Sequence, residues 1–302
     1  MAGVLGIAVL PVLTAGPALA EPAAAPDLSG YAETPVDPYV ADGEVYFQTP
    51  DGLLCAIRPG TGIAGCDGPL PSAPAGANEI LLAADAHLRG LRATANPQFV
   101  KPTGAAAPVL HAGQKISYAD FVCAVADQGK TACTKGSPAT AWLEISDTHT
   151  GIGPATPGLP DGYPDPNDFV ASDESFVPGV GATNIFPVFT VESGLTCKMS
   201  MFSGGEIGCD GTLPGITNGD DEVYVQLPGA VGTRRAGTPP FATPSYPGPI
   251  KSLPQGHRID ANGATCMATR DGGVACFGAA GGPNQGFLVT AEKTTTFVSP
   301  PS

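Results

Sequence analysis

Gly65-Cys66-Asp67-Gly68-Pro69-Leu70-Pro71 returns later in the chain as Gly208-Cys209-Asp210-Gly211-Thr212-Leu213-Pro214. The same shift of 143 residues relates Cys123 to Cys266 and Cys133 to Cys276. It also relates Glu79-Ile80-Leu81-Leu82 to Glu222-Val223-Tyr224-Val225, Arg92-Ala93 to Arg235-Ala236, and Leu110, Gly113 and Ile116 to Leu253, Gly256 and Ile259. Cys55 and Cys197 fall one residue out of this register, which fits an insertion at one hairpin tip. Several separate segments keeping one spacing point to a duplicated module.

The cysteines form four close pairs: Cys55 and Cys66, Cys123 and Cys133, Cys197 and Cys209, Cys266 and Cys276. An even number at such spacings reads as a disulfide framework for an oxidising compartment. The gaps are too wide for a zinc site built on ligands two to four residues apart, and His87, His111, His149 and His257 do not recur between the copies. No metal or cofactor is therefore expected. Each second pair closes an odd-numbered loop, with Gly129 or Gly272 at the third position of a three-residue hairpin, where a left-handed residue belongs. That turn sets the two cysteines opposite each other. Pairing within each hairpin is the expectation, and pairing between the two hairpins of one module is the alternative. Closing such a loop contributes nominally about 2.7 kcal/mol.

Residues 1–20 read as a signal peptide: the apolar run Val4 to Leu10 leads to the small-residue site Ala18-Leu19-Ala20. No later run is long and apolar enough to span a membrane as a helix, so no transmembrane segment is expected in the mature chain. Residues 21–43 read as a disordered Pro/Ala-rich lead-in, 44–148 as a first β module, and 149–180 as an acidic Pro-rich linker. Residues 181–295 read as a second β module, and 296–302 as a tail. The net charge of −14 is concentrated in the lead-in and the linker, which contain no Lys or Arg. Acidic, proline-rich segments of this kind stay solvated, and the acidity argues against nucleic acid.

Short runs such as Phe121-Val122-Cys123-Ala124-Val125 and Trp142-Leu143-Glu144-Ile145, bounded by Gly, Pro and Asp, are strand-like. The fold expected is mainly β: two homologous small antiparallel modules, each with two disulfide-braced hairpins, joined by the Pro-rich linker. Asn78 to Leu91 is the one helical candidate, and Trp142 is expected in the core.

Phe47-Gln48-Thr49-Pro50-Asp51-Gly52-Leu53-Leu54-Cys55, Leu110-His111-Ala112-Gly113 and Cys123…Cys133, with Gly194-Leu195-Thr196-Cys197, Leu253-Pro254-Gln255-Gly256, Cys266…Cys276 and Gly286-Phe287, resemble a family of exported actinobacterial domains of unknown function. Leu53 and Leu195 stand where such domains often have Asn, and Val191-Glu192 replaces the Thr-Pro step in the second copy. The resemblance implies a secreted disulfide-bonded β domain and carries no activity.

Asp67, Asp210, Glu79 and Glu222 are the only repeated acid–base candidates. A glycosidase needs two carboxylates converging on one bond, whereas Asp-Gly after a hairpin cysteine is ordinary turn chemistry. Asp165-Pro166-Asn167-Asp168 and Asn218-Gly219-Asp220-Asp221-Glu222 lack the ligand spacing of a calcium loop. Duplication of scaffold without duplication of a catalytic set favours a noncatalytic exported binding or structural protein acting on an extracellular protein or glycan. Two other readings stay open. One is a secreted hydrolase using Glu79 or Glu222 between the modules; the other is a protease inhibitor presenting a braced tip such as Gly62-Ile63. Oligomeric state is not legible.

Overall fold

The computed structural model describes residues 24–299 apart from 84–87, 127–129, 173, 178–185, 201–204, 228, 237–248, 262 and 280–281. The expected signal peptide and Gly129 lie outside the described residues. The regular elements of the described chain are strands, with short 3-10 turns such as Asp37–Tyr39 and Pro166–Asp168.

Strands are numbered in chain order. The central sheet has twelve: β2 (Val40–Ala41), β3 (Glu44–Gln48), β4 (Leu54–Arg58), β5 (Ile63–Asp67), β6 (Glu79–Ala83), β7 (Gly90–Arg92), β13 (Val170–Ala171), β20 (His257–Ala261), β21 (Ala264–Ala268), β22 (Val274–Gly278), β23 (Gln285–Val289) and β24 (Thr294–Val298). A six-stranded sheet lies against its first half, in the order β1 (Ala32–Glu33), β8 (Gln114–Tyr118), β9 (Phe121–Val125), β10 (Thr131–Lys135), β11 (Ala141–Ile145) and β12 (Thr150–Gly153). A second six-stranded sheet lies against the other half: β18 (Val231–Arg234), β17 (Glu222–Gln226), β16 (Glu206–Asp210), β15 (Thr196–Ser200), β14 (Val188–Thr190) and β19 (Lys251–Ser252).

Each pair of facing sheets encloses its own core. Phe47, Ile57, Ile80 and Leu82 meet Ile116, Phe121, Leu143 and Ile145 in one. In the other, Phe189, Val223 and Val225 meet Ile259, Val274 and Phe287. Full burial of each such side chain contributes about 1.5–3 kcal/mol. The disulfides join Cys55–Cys66, Cys123–Cys133, Cys197–Cys209 and Cys266–Cys276. Each bridges directly opposed positions of an antiparallel pair and points into a core. The second-half turn has the expected form: Gly272 takes a φ of +83° and its N–H donates to Thr269 O.

Four expectations need correction. The sheets are mixed rather than antiparallel throughout, because β1–β8, β14–β19, β13–β7 and β13–β20 pair in parallel. Glu79–Ala83, in the helical candidate, is strand β6, since its alternating Ile80 and Leu82 face the core while its backbone completes the ladder to β5. Residues 24–43 and 149–172 are not solvated spacers. Composition undercounted their apolar anchors, for Leu28 and Tyr39 pack in the first half, and Phe169 and Val170 are buried at the junction. Trp142 lies on the outer face of β11, partly exposed, with its indole over Gly153 of β12. A Cβ on Gly153 would stand 2.1 Å from that ring.

The segment read as a linker is the structural hinge of the fold. Strand β13 pairs with β7 on one side and β20 on the other, joining a six-stranded and a five-stranded array into one sheet. Arg258 locks the joint. Its Nη2 donates to Arg89 O at 2.8 Å, its Nη1 donates to Pro166 O, and its Nε pairs with Asp260 at 2.8 Å.

Candidate functional site

The repeated carboxylates do meet, but within each half. Asp67 faces Glu79 across β5 and β6, and Asp210 faces Glu222 across β16 and β17. Hairpin register therefore makes each Cys-Asp-Gly turn the neighbour of a strand-opening Glu. Both acids of the first pair are buried, at 5 % and 0 % exposure. Burial, and then the charge of Asp67, push Glu79 up to about 7, so the pair holds a shared proton near neutrality. Asp67 is also raised by burial, against which the Phe99 N–H donates to its Oδ2 at 2.6 Å. Phe99 closes over Gly65, where a Cβ would lie 2.4 Å from its ring, and leaves no access for a substrate.

The second pair is neutralised differently. Arg234 contacts Glu222 and bridges to Glu206 at 2.7 Å while stacking on Tyr224. Burial raises Glu222, and the guanidinium opposes that rise. Arg234, not Arg235, stands across from Glu222, whereas Arg92 stands across from Glu79. The Arg match inferred from sequence is thus shifted by one residue. Neither Glu79 nor Glu222 lines the space between the halves, and Ile63 of the proposed inhibitory tip is buried.

A different site does lie between the halves. A cleft of about 430 Å³ opens beside the β7–β13 joint. Ser72, Ala73, Pro74 and Leu91 line it from the first half, and Thr269 and Arg270 from the second-half hairpin turn. His149, Thr150, Pro164, Asp168 and Phe169 complete it from the connecting segment. The walls Leu91, Pro74 and Phe169 are apolar, whereas His149, Asp168 and Arg270 are exposed to the cleft. Desolvation by the surrounding cleft walls raises the Asp168 carboxyl although its side chain reaches solvent, and nearby Asp165 adds to the rise, while Arg270 and His149 pull it down. Ser72 holds a φ of +61° and donates from Oγ to Thr148 O at 2.6 Å, fixing one rim to the other.

The volume falls in the range of small-molecule sites, and the few polar groups among apolar walls are their usual composition. One carboxylate, one guanidinium and one imidazole suit a ligand carrying both hydroxyls and an anionic group. Among the described residues no three His, Cys, Asp or Glu side chains converge to hold a metal ion. In the two loops weighed for calcium, Asp165 and Asp220 serve the loops themselves. Asp165 accepts from Asn167 N and Thr156, and Asp220 from Thr233.

Sequence reading missed Ser72 and Arg270 as site residues and gave His149 and Asp168 other tests. They come from three distant segments and share no spacing. One signal was available: at the shift of 143, Arg270 corresponds to Asp127, so this one tip position has opposite charge in the two halves.

No family model, no curated protein and no solved structure matches this chain.

Proposed function

We propose that this protein is an exported, noncatalytic binding protein whose two halves descend from one disulfide-braced module. In this reading its ligand sits in the cleft between them. The ligand class that fits is an extracytoplasmic glycan bearing a carboxylate, with Arg270 and His149 reading the anion and Asp168 accepting hydroxyls. The observation that carries the reading is that His149, Asp168 and Arg270 occupy positions without a like counterpart in the other half. Residues shared by the halves are scaffold; these three, which differ, converge on one cavity. Four buried disulfides support residence in an oxidising compartment. The family resemblance in the turn and cysteine motifs supports the same placement.

A hydrolase reading would use Glu79, whose raised pKa suits a general acid. Its full burial beneath Phe99 favours a structural role instead.

Titration calorimetry against matched acidic and neutral oligosaccharides tests the proposal. Saturable binding of an acidic member, weakened at least about tenfold by Arg270→Ala, is expected from loss of a charge-assisted contact of roughly 1.5–3 kcal/mol. Equal binding by wild type and Arg270→Ala, or turnover of any glycan that Glu79→Gln abolishes, would overturn it.

A further inference from the structure

The joint at the centre of the long sheet has a second, unfilled version at the ends of the molecule. Strand β1 stands to β8 as β13 stands to β20. Ala32 N donates to Gly113 O and Thr34 N to Lys115 O, just as Val170 N donates to Gly256 O and Ser172 N to Arg258 O. Gly113 and Lys115 are the 143-residue counterparts of Gly256 and Arg258. The approach to each strand is also shared. Asp27 Oδ1 accepts from Ser29 N as Asp165 Oδ1 accepts from Asn167 N, both at 2.9 Å. Lys115 Nζ donates to Leu28 O, as Arg258 does to Pro166 O.

The partner edge is duplicated too. Strand β7 closes one array beside β6, and β18 closes another beside β17, with Leu91 and Thr233 at corresponding places opposite Ile80 and Val223. In the interior, β7 meets β13. At the ends, β1 and β18 are each the last strand of their sheet among the described residues.

We propose that β1 of one molecule pairs in parallel with β18 of a second copy, so that the protein assembles head to tail by repeating its own internal joint. The register follows from Val170↔Leu91 and Ala171↔Arg92, and sets Ala32 against Thr233 and Glu33 against Arg234. The second match is of opposite charge. Ala32 and Glu33 are exposed, whereas Val170, the counterpart of Ala32, is fully buried by its neighbour. Gly90 lies under the Arg258 guanidinium at the internal joint, where a Cβ would fall 2.7 Å from Nη2. The corresponding residue of β18 is again a glycine, Gly232, where a Cβ would meet nothing closer than the Tyr224 hydroxyl at 3.7 Å. Ala32 and Thr233 replace Val170 and Leu91, so the joint between molecules buries less apolar surface and is reversible where the internal one is permanent. Its two surfaces differ, so it does not close on itself at a dimer.

Because Ala32 N and Thr34 N serve β8, ladder alternation turns Glu33 N–H outward. Sedimentation analysis of the full mature chain is expected to show mass rising with concentration. Glu33→Pro removes the outward donor together with the carboxylate that accepts from Ser117 N–H and Oγ, and is expected to hold the chain at monomer mass. Glu33→Ala, which loses the carboxylate but keeps the N–H, is expected still to gain mass with concentration. Mixing two separately purified variants, Ala32→Cys and Thr233→Cys, fixes the geometry. Under mild oxidation the mixture is expected to form a disulfide between the two introduced thiols, one from each variant, since facing positions of paired strands lie within disulfide reach. Monomer mass throughout with no mixed cross-link overturns the proposal, as does cross-linking of either variant with itself in preference to the mixture. Glycan binding at the cleft is read separately, so neither result stands in for the other.

Discussion

The first half buries Asp67 against Glu79 with no cation bonded to either among the described residues, and the second half buries Asp210 against Glu222 with Arg234 laid across the latter. The hairpin register is the same, yet the charge is handled in opposite ways. In the first half a proton occupies the place that a guanidinium fills in the second. Arg92 stands opposite Glu79 on β7 but donates to Leu88 O. A neighbouring strand explains the difference: β7 is held against β13, whereas β18 is the last strand of its sheet among the described residues, and there Arg234 folds back over Glu222, Glu206 and Tyr224.

The largest test of this contrast is Arg234→Ala. Removing that cation leaves buried Glu222 beside Glu206; because the Arg234 side chain is 41 % exposed, a loss of about 2 kcal/mol is expected in chemical denaturation, between exposed and fully buried pairs. Arg92→Ala is expected to cost less than about 1 kcal/mol. Equal losses would break the comparison.

Next is the dependence on pH. Glu79 titrates near 7 in the folded chain and near its ordinary 4.5 when unfolded. The folded state therefore binds the extra proton, so this contribution is complete below about pH 4.5 and disappears as pH rises through 7. Stability should fall by on the order of 2–3 kcal/mol across that window. Glu79→Gln is expected to flatten the profile and to raise stability at about pH 8, above the folded-state value. Glu222→Gln, which discards the bond from Arg234, is expected to lower it at the same pH. Thermal melts from about pH 4 to 9 would show both, and matching signs would refute the assignment.

The smallest effect concerns the outer faces. Trp142→Ala uncovers Gly153 and is expected to cost about 1 kcal/mol, with the core unchanged in near-ultraviolet dichroism from the remaining aromatics. A loss of about 3 kcal/mol or more would return Trp142 to a core role.

Much of this molecule is legible from local chemistry. The cysteine spacing around Gly272 contains the hairpin, because a three-residue loop with a left-handed third residue forces the flanking cysteines to oppose each other. Alternation in Phe121–Val125 contains the strand and its inward face. Val170–Ala171 was not legible, since two residues in an acidic, proline-rich stretch carry no periodicity of their own. Their strand conformation exists because β7 and β20 present free edges on both sides. The helical look of Asn78–Leu91 fails for the same reason: intrinsic preference is weak beside a ladder and a core face. Glu79 stood out in sequence only as a repeated acid. Its proton affinity comes from its burial and from Asp67, which lies across the hairpin beneath the Phe99 lid.

By itself the sequence determined the β class and the positions of the scaffold, because each depends on residues close together along the chain. It favoured the four hairpin disulfides over pairing between hairpins, a choice the structure makes. Tertiary structure decided that a supposed spacer is the central strand of a twelve-stranded sheet. It also decided that His149, Asp168 and Arg270 share one cleft and that β1 and β18 end their sheets among the described residues. These facts depend on which edges and surfaces meet across long loops, and no local spacing encodes that meeting.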